Sequence, residues 1–223
     1  MSARLRAVLF DLDGTVLDTA PDMVNALNAL RQEQGLSPLP YEEVRCAVSH
    51  GAARVVGVGF PGVEPIAYAA LQKRFLEIYR SALSLETKLF PGMQSVLEFI
   101  AERGMKSGIV TNKAAWLTDP LLEQLKLRDR FACVVSGDTL AQRKPHPAPL
   151  LHAAKLAEAE PGECIYVGDA ERDVQAAHAA GMPALVANYG YLRDDEDTTR
   201  WGGDAYMKEP LDIIDWLKEN RSS

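Results

Sequence analysis

The first apolar run of the chain, Ala7-Val8-Leu9-Phe10, is four residues long and stops at Asp11-Leu12-Asp13-Gly14-Thr15. A continuous apolar run of that length, bounded by turn formers, reads as a buried strand. The period then changes. Pro21-Asp22 opens a helical stretch with Val24, Leu27 and Leu30 at helical spacing, and Gly35 closes it. The pattern next predicts a helix over Tyr41 to Val48 and a glycine-broken stretch through Gly51, Gly57, Gly59 and Gly62. A long amphipathic helix follows from Pro65 to Leu83. Nothing between Leu17 and Leu85 reads as a strand.

Beyond Phe90-Pro91-Gly92 helices and strands alternate. Helices are expected at Met93 to Arg103, Ala114 to Leu125, Pro147 to Ala157, Arg172 to Ala180 and Leu211 to Lys218. Strands are expected at Ser107 to Val110, Ala132 to Val135, Cys164 to Val167 and Ala184 to Ala187. Strands separated by helices of this length predict an α/β fold, a parallel sheet flanked by helices. The helical segment after the first strand is too long for a connection and reads as a small cap domain. The expected organisation is a core of residues 1–16 and 86–223, with an all-helical cap over 17–85.

Composition narrows the classes. A chain of 223 residues, 47% hydrophobic and 25% charged, is an ordinary globular protein. Its net charge of −7 argues against nucleic acid as a partner, which needs clustered Lys and Arg. The three cysteines are too few and scattered for a disulfide framework or a zinc knuckle; Cys133 and Cys164 lie in strand-like runs and are expected to be buried thiols. Free thiols fit a reducing compartment. The basic start, Met1 to Arg6, is followed by only four apolar residues, short of a signal-peptide core or a membrane span. A cytoplasmic protein without a membrane partner is expected, with Asp194-Asp195-Glu196-Asp197 as a solvated loop.

The candidate chemistry sits where strands end. Asp11 and Asp13 share parity, so both side chains can enter one crevice if the chain stays extended. Two close carboxylates need a proton or a metal ion between them. Asp-x-Asp-Gly also begins turns and calcium loops, but Val16, Leu17 and Thr19 follow in place of the oxygen ligands an EF-hand requires. Thr111-Asn112 ends the next strand with a hydroxyl and an amide suited to phosphate oxygens. Lys144, stiffened by Pro145, offers a point charge. Gly168-Asp169 ends a further strand, with Asp173 one helical turn on, and Asp169 falls beside Asp11 if the two strands are neighbours. Four acids in one crevice call for a hard divalent cation such as Mg2+.

In this order and spacing, Asp11-Leu12-Asp13-Gly14-Thr15, Thr111-Asn112, Lys144-Pro145 and Gly168-Asp169 with Asp173 resemble the four motifs of the haloacid dehalogenase superfamily. An Asp two places after the first resembles its phosphatases and phosphomutases rather than its dehalogenases. The helical insert resembles the small cap of the phosphoglycolate phosphatase branch. The resemblance implies a Rossmann-like core and an aspartyl-phosphate mechanism. Asp11 is then the nucleophile and Asp13 the acid and base. Thr111, Asn112 and Lys144 bind phosphate, and Mg2+ is held by Asp11, the main-chain carbonyl of Asp13 and Asp169, with Asp173 in support.

The substrate is to be read from the insert. Ser49-His50-Gly51-Ala52-Ala53-Arg54 falls in its glycine-broken part, where a loop can reach over the crevice, making His50 and Arg54 candidate substrate residues. Arg54 is suited to a two-pronged bond with a carboxylate. Ser49 to Arg54, Tyr189-Gly190-Tyr191 and Arg200 to Ala205 resemble bacterial N-acetylmuramic acid 6-phosphate phosphatases more than phosphoglycolate phosphatases in the strict sense. The expected function is hydrolysis of a small phosphorylated metabolite, N-acetylmuramic acid 6-phosphate, in the recycling of peptidoglycan sugars. The alternatives are a 2-phosphoglycolate phosphatase and, in another class, a β-phosphoglucomutase-like sugar phosphomutase. A monomer or small homo-oligomer is expected.

Overall fold

The structure, a computed structural model, describes residues 5–220. Its first element, β1 (Ala7–Phe10), is the expected apolar run, and all four residues are fully buried. Burial on both sides is what a central parallel strand requires. Five more strands join it in a parallel sheet: β4 (Lys106–Val110), β5 (Cys133–Val135), β6 (Cys164–Gly168), β7 (Ala184–Ala187) and β8 (Ala205–Met207). Their order is β5-β4-β1-β6-β7-β8. The three-residue edge strand β8 was not expected from the pattern; it is too short to show a period and rests on pairing with β7.

Side chains of β1 alternate between two cores, as the pleat dictates. Val8 and Phe10 join one cluster with α5 (Met93–Glu102), α6 (Ala115–Gln124) and α9 (Leu211–Glu219). Ala7 and Leu9 join the other with α7 (Ala148–Leu156) and α8 (Glu171–Ala179). Helices thus cover both faces, as expected. Cys133 and Cys164 are buried free thiols and Cys46 is half-buried.

Because β1 pairs with β4 on one side and β6 on the other, Phe10 is level with both Ile109 and Val167. The residues that follow therefore emerge along one edge: Asp11 after β1, Thr111 after β4, Asp169 after β6. This is the switch point at the carboxyl ends of the strands, where open α/β sheets hold ligands.

Between β1 and the remaining core lie α1 (Ala20–Glu33), α2 (Tyr41–Arg45), α3 (Gly51–Gly59) and α4 (Pro65–Ser81). Their packing corrects three expectations. A short antiparallel pair, β2 (Leu17–Asp18) with β3 (Lys88–Leu89), ties together the two chain segments that flank the helices. Two residues carry no periodicity, so no strand was legible there. The helix expected over Tyr41 to Val48 stops at Arg45, and Val48–His50 forms a separate 3-10 turn. Gly51 to Gly59 is a helix, not a broken loop. Val55 and Val56 are fully buried there, and Gly59 lies so close to Leu27 that a Cβ would stand 2.5 Å from its Cδ1. The glycines cost helix propensity but admit close packing of α3 on α1, and that packing prevails.

Candidate active site

Asp11 is held at the sheet edge by its N–H, which donates to the Val167 carbonyl at 2.9 Å. Its Oδ1 accepts from the Leu12 N–H at 2.7 Å and faces Lys144 Nζ at 3.0 Å. Lys144 is a buried lysine, and its three donors are all engaged. They reach Asp11, Asp173 Oδ1 at 2.8 Å and the Tyr166 hydroxyl at 2.8 Å. Tyr166 in turn donates to the Val110 carbonyl at 2.7 Å.

Asn112 lines the cavity, with its side chain bonded to the Lys144 backbone. Its Nδ2 donates to the Lys144 carbonyl at 3.0 Å, and its Oδ1 accepts from the Lys144 N–H at 3.1 Å. The side chain braces the backbone that carries Lys144. Thr111 is buried beside it, and its Oγ1 accepts from the Lys113 N–H at 3.2 Å.

One carboxylate oxygen from each of Asp11, Asp169 and Asp173 can be taken so that all lie within 4.8 Å of one another. All three residues are buried, and Asp169 Oδ1 has no hydrogen-bond partner. Burial, reinforced by the charges of Asp11 and Asp173, pushes the Asp169 carboxyl up to about 7. Burial also raises Asp173, against the pull of Lys144. Three converging carboxylates, among which Asp169 has an unpartnered oxygen and an ionisation opposed by burial and by its acidic neighbours, match what a hard divalent cation takes.

The Asp13 carboxylate stands outside that cluster. Its Oδ1 accepts from Thr19 Oγ1 at 2.7 Å and from Lys113 Nζ at 3.0 Å. Lys113 is buried and also donates to the Tyr79 hydroxyl at 2.9 Å. Burial works to lower its pKa, but Asp13 and Tyr79 outweigh it and the net shift is upward. Tyr79 itself is pushed up to about 12 by burial, so its hydroxyl stays neutral.

A cavity of about 440 Å3 opens over these groups. The core contributes Asp11, Asp13, Thr111 and Trp116; the helical insert contributes Met23, Ser49, His50 and Leu76. His50 lines it as expected, with a pKa lowered by burial and by Arg172. Arg54 does not. It is exposed and absent from the lining, because the helical turn of α3 that buries Val55 and Val56 leaves Arg54 outside. The guanidiniums that do line the cavity are Arg143 and Arg172. Arg172 Nη2 donates to the Ser49 carbonyl at 2.5 Å and stands 3.8 Å from Asp11 Oδ2.

Comparison with known proteins bears directly on this geometry. Residues 8–187 match the model of the haloacid dehalogenase-like hydrolase family. The chain belongs to that family.

Within this family its relatives by sequence are phosphatases, and the chain is a phosphatase. A phosphoglycolate phosphatase of Xanthomonas campestris is 43% identical over 205 residues, covering 92% of this chain and 93% of its own length. An N-acetylmuramic acid 6-phosphate phosphatase of Pseudomonas putida is 36% identical over 212 residues, covering 94% and 95%. The fold matches a crystal structure described as a predicted phosphoglycolate phosphatase from Haemophilus somnus, with a TM-score of 0.85 and 23% identity over 97% of this chain and 99% of that one.

Four residues of this hydrolase, three touching an acid and one touching the lysine beside Asp13, were not singled out from its sequence. Lys113 directly follows Thr111-Asn112 and Arg172 directly precedes Asp173, so adjacency to a motif was the available signal. Thr19 and Tyr79 reach Asp13 or its lysine only through the fold and carry no sequence signal.

Proposed function

We propose that this chain is a Mg2+-dependent phosphomonoester hydrolase working through an aspartyl phosphate on Asp11. The observation that carries the reading is the separation of two acids: Asp11 lies in the buried carboxylate cluster, while Asp13 is held apart by Thr19 and Lys113 at the cavity wall. Asp11 attacks phosphorus in line, and the leaving oxygen takes a proton from Asp13. Water then attacks the acyl phosphate, giving its proton to Asp13 and freeing Asp11 and phosphate. Thr111 and Lys144 hold the transferring group and balance its charge. Mg2+ is held by Asp11, the Asp13 carbonyl and Asp169, with Asp173 in support; when bound it neutralises the acids and the phosphoryl charge.

Residues 17–85 act as a cap over the cavity, with residues 1–16 and 86–223 as the catalytic core. The substrate is a small phosphorylated carboxylic acid. The 43% identity to a phosphoglycolate phosphatase supports 2-phosphoglycolate as the first candidate. A second reading, N-acetylmuramic acid 6-phosphate, is favoured by the size of the cavity and by its apolar wall of Met23, Leu76 and Trp116. Such a volume suits a drug-sized ligand rather than a two-carbon acid alone. Comparing kcat/KM for these two compounds and for β-glucose 1-phosphate tests the reading. A clear preference for one of the first two supports it, whereas conversion of the third to glucose 6-phosphate makes the protein a mutase.

A further inference from the structure

Asp169 is fixed from one side only. Its Oδ2 accepts from Ser49 Oγ at 2.6 Å and from the Tyr191 N–H at 3.1 Å, while Oδ1 is buried without a partner. Two glycines press on the same side chain. A Cβ on Gly14 would stand 2.1 Å from Asp169 Oδ2, and one on Gly190 2.4 Å from Asp169 Cβ. With Oδ2 doubly held and the carbon skeleton walled in, Oδ1 is the Asp169 oxygen left without a protein partner for the cluster with Asp11 and Asp173.

One of those two holds comes from the helical insert. Ser49 belongs to the 3-10 turn Val48–His50, is buried, and lies 120 positions from Asp169 in sequence. Its own carbonyl is fastened by Arg172 of α8. Tyr191, the other hold, also reaches the insert: its hydroxyl donates to Asp18 Oδ1 at 2.9 Å and accepts from the Ala20 N–H at 2.9 Å.

We infer that Ser49 is a positioning residue for the metal ligand Asp169, so that seating of the Val48–His50 turn and divalent-cation affinity are coupled. A hydrogen bond to the far oxygen of a ligating carboxylate orients the near one, and loss of such a partner typically weakens metal binding about tenfold or more. The coupling is reciprocal: if the seated turn favours the ion, the ion favours the seated turn. This inference rests on the reading above that Asp169 holds the metal.

The test uses Mn2+ as probe, with the free-ion paramagnetic resonance signal reporting binding to the full chain without any turnover. Asp169→Asn is expected to lose the site, and Ser49→Ala to bind about tenfold more weakly than wild type. Hydrogen exchange supplies the reverse arm: saturating Mg2+ should slow exchange across residues 46–53 in wild type and less in Ser49→Ala. Unchanged binding in Asp169→Asn defeats the metal-ligand reading itself. Loss in Asp169→Asn with Ser49→Ala within twofold of wild type, or exchange at 46–53 indifferent to Mg2+, overturns the role of Ser49 and leaves that reading intact.

Discussion

Lys113 Nζ lies 3.0 Å from Asp13 Oδ1 although the two residues are 100 positions apart, and both are largely withdrawn from solvent. An ammonium placed there fixes the orientation of Asp13, the acid proposed to serve the leaving oxygen. Lys113→Met is therefore expected to lower kcat on alkyl phosphates by about tenfold or more, since a positioned acid contributes 10² to 10⁴. The loss should be smaller for p-nitrophenyl phosphate, whose leaving group needs no proton. Equal losses on both substrates would separate Lys113 from the acid step.

Lys144 is the counter-charge of the acid cluster, with Asp11 and Asp173 both within 3.0 Å of its Nζ. Removing it strands two buried carboxylates. Lys144→Met should abolish measurable turnover and lower stability in metal-free buffer by about 3–5 kcal/mol, the cost of breaking a buried pair. Tyr166→Phe removes only one hydrogen-bond partner of that lysine and should cost about 1 kcal/mol. Urea unfolding of the two variants beside wild type measures both, and a Lys144→Met loss no larger than that of Tyr166→Phe contradicts the assignment.

The metal-free protein should lose stability as pH rises. Burial raises the folded pKa of Asp169 from 3.8 to about 7, so between those values the folded state binds more protons than the unfolded state. Stability then falls with rising pH across that window. Thermal melts in chelator should show a Tm falling by about 5 °C or more from pH 5 to pH 7.5. The fall should shrink in Asp169→Asn. A Tm flat or rising across the window in wild type counts against the strained acid cluster.

Arginine substitutions separate the cavity from its surroundings. Arg172 lines the cavity and reaches toward Asp11, whereas Arg54 is exposed outside it. Arg172→Ala should reduce kcat/KM for 2-phosphoglycolate by about tenfold or more, in line with a charge-assisted bond. Arg54→Ala should stay within twofold of wild type. The reverse ranking returns substrate recognition to Arg54.

The fold was largely legible because β1 is a pure apolar run and the helices after residue 90 are separated by clean turn signals. The acids were legible for the same reason: Asp11 and Asp169 directly follow strand ends, Asp13 and Asp173 come within five residues of them, and a parallel sheet brings strand ends together. What escaped was set by tertiary packing. Gly57 and Gly59 read as breaks, yet α3 is helical, with Gly59 packed closely against Leu27, and the helix leaves Arg54 outside the cavity. Thr19 and Tyr79 reach Asp13 or its lysine from an insert whose folding back over the sheet has no local code. The bonds from Asn112 to the Lys144 backbone, 32 positions away, likewise carry no sequence signal.

In the proposed mechanism Asp11 carries the phosphoryl group. Mass spectrometry of enzyme quenched in acid during turnover with 2-phosphoglycolate or N-acetylmuramic acid 6-phosphate tests it directly. One phosphoryl group should appear on the peptide containing Asp11, be released by hydroxylamine, and be absent from Asp11→Asn, which should also release no phosphate. A phosphoryl group on another residue, or phosphate release undiminished in Asp11→Asn, would contradict it.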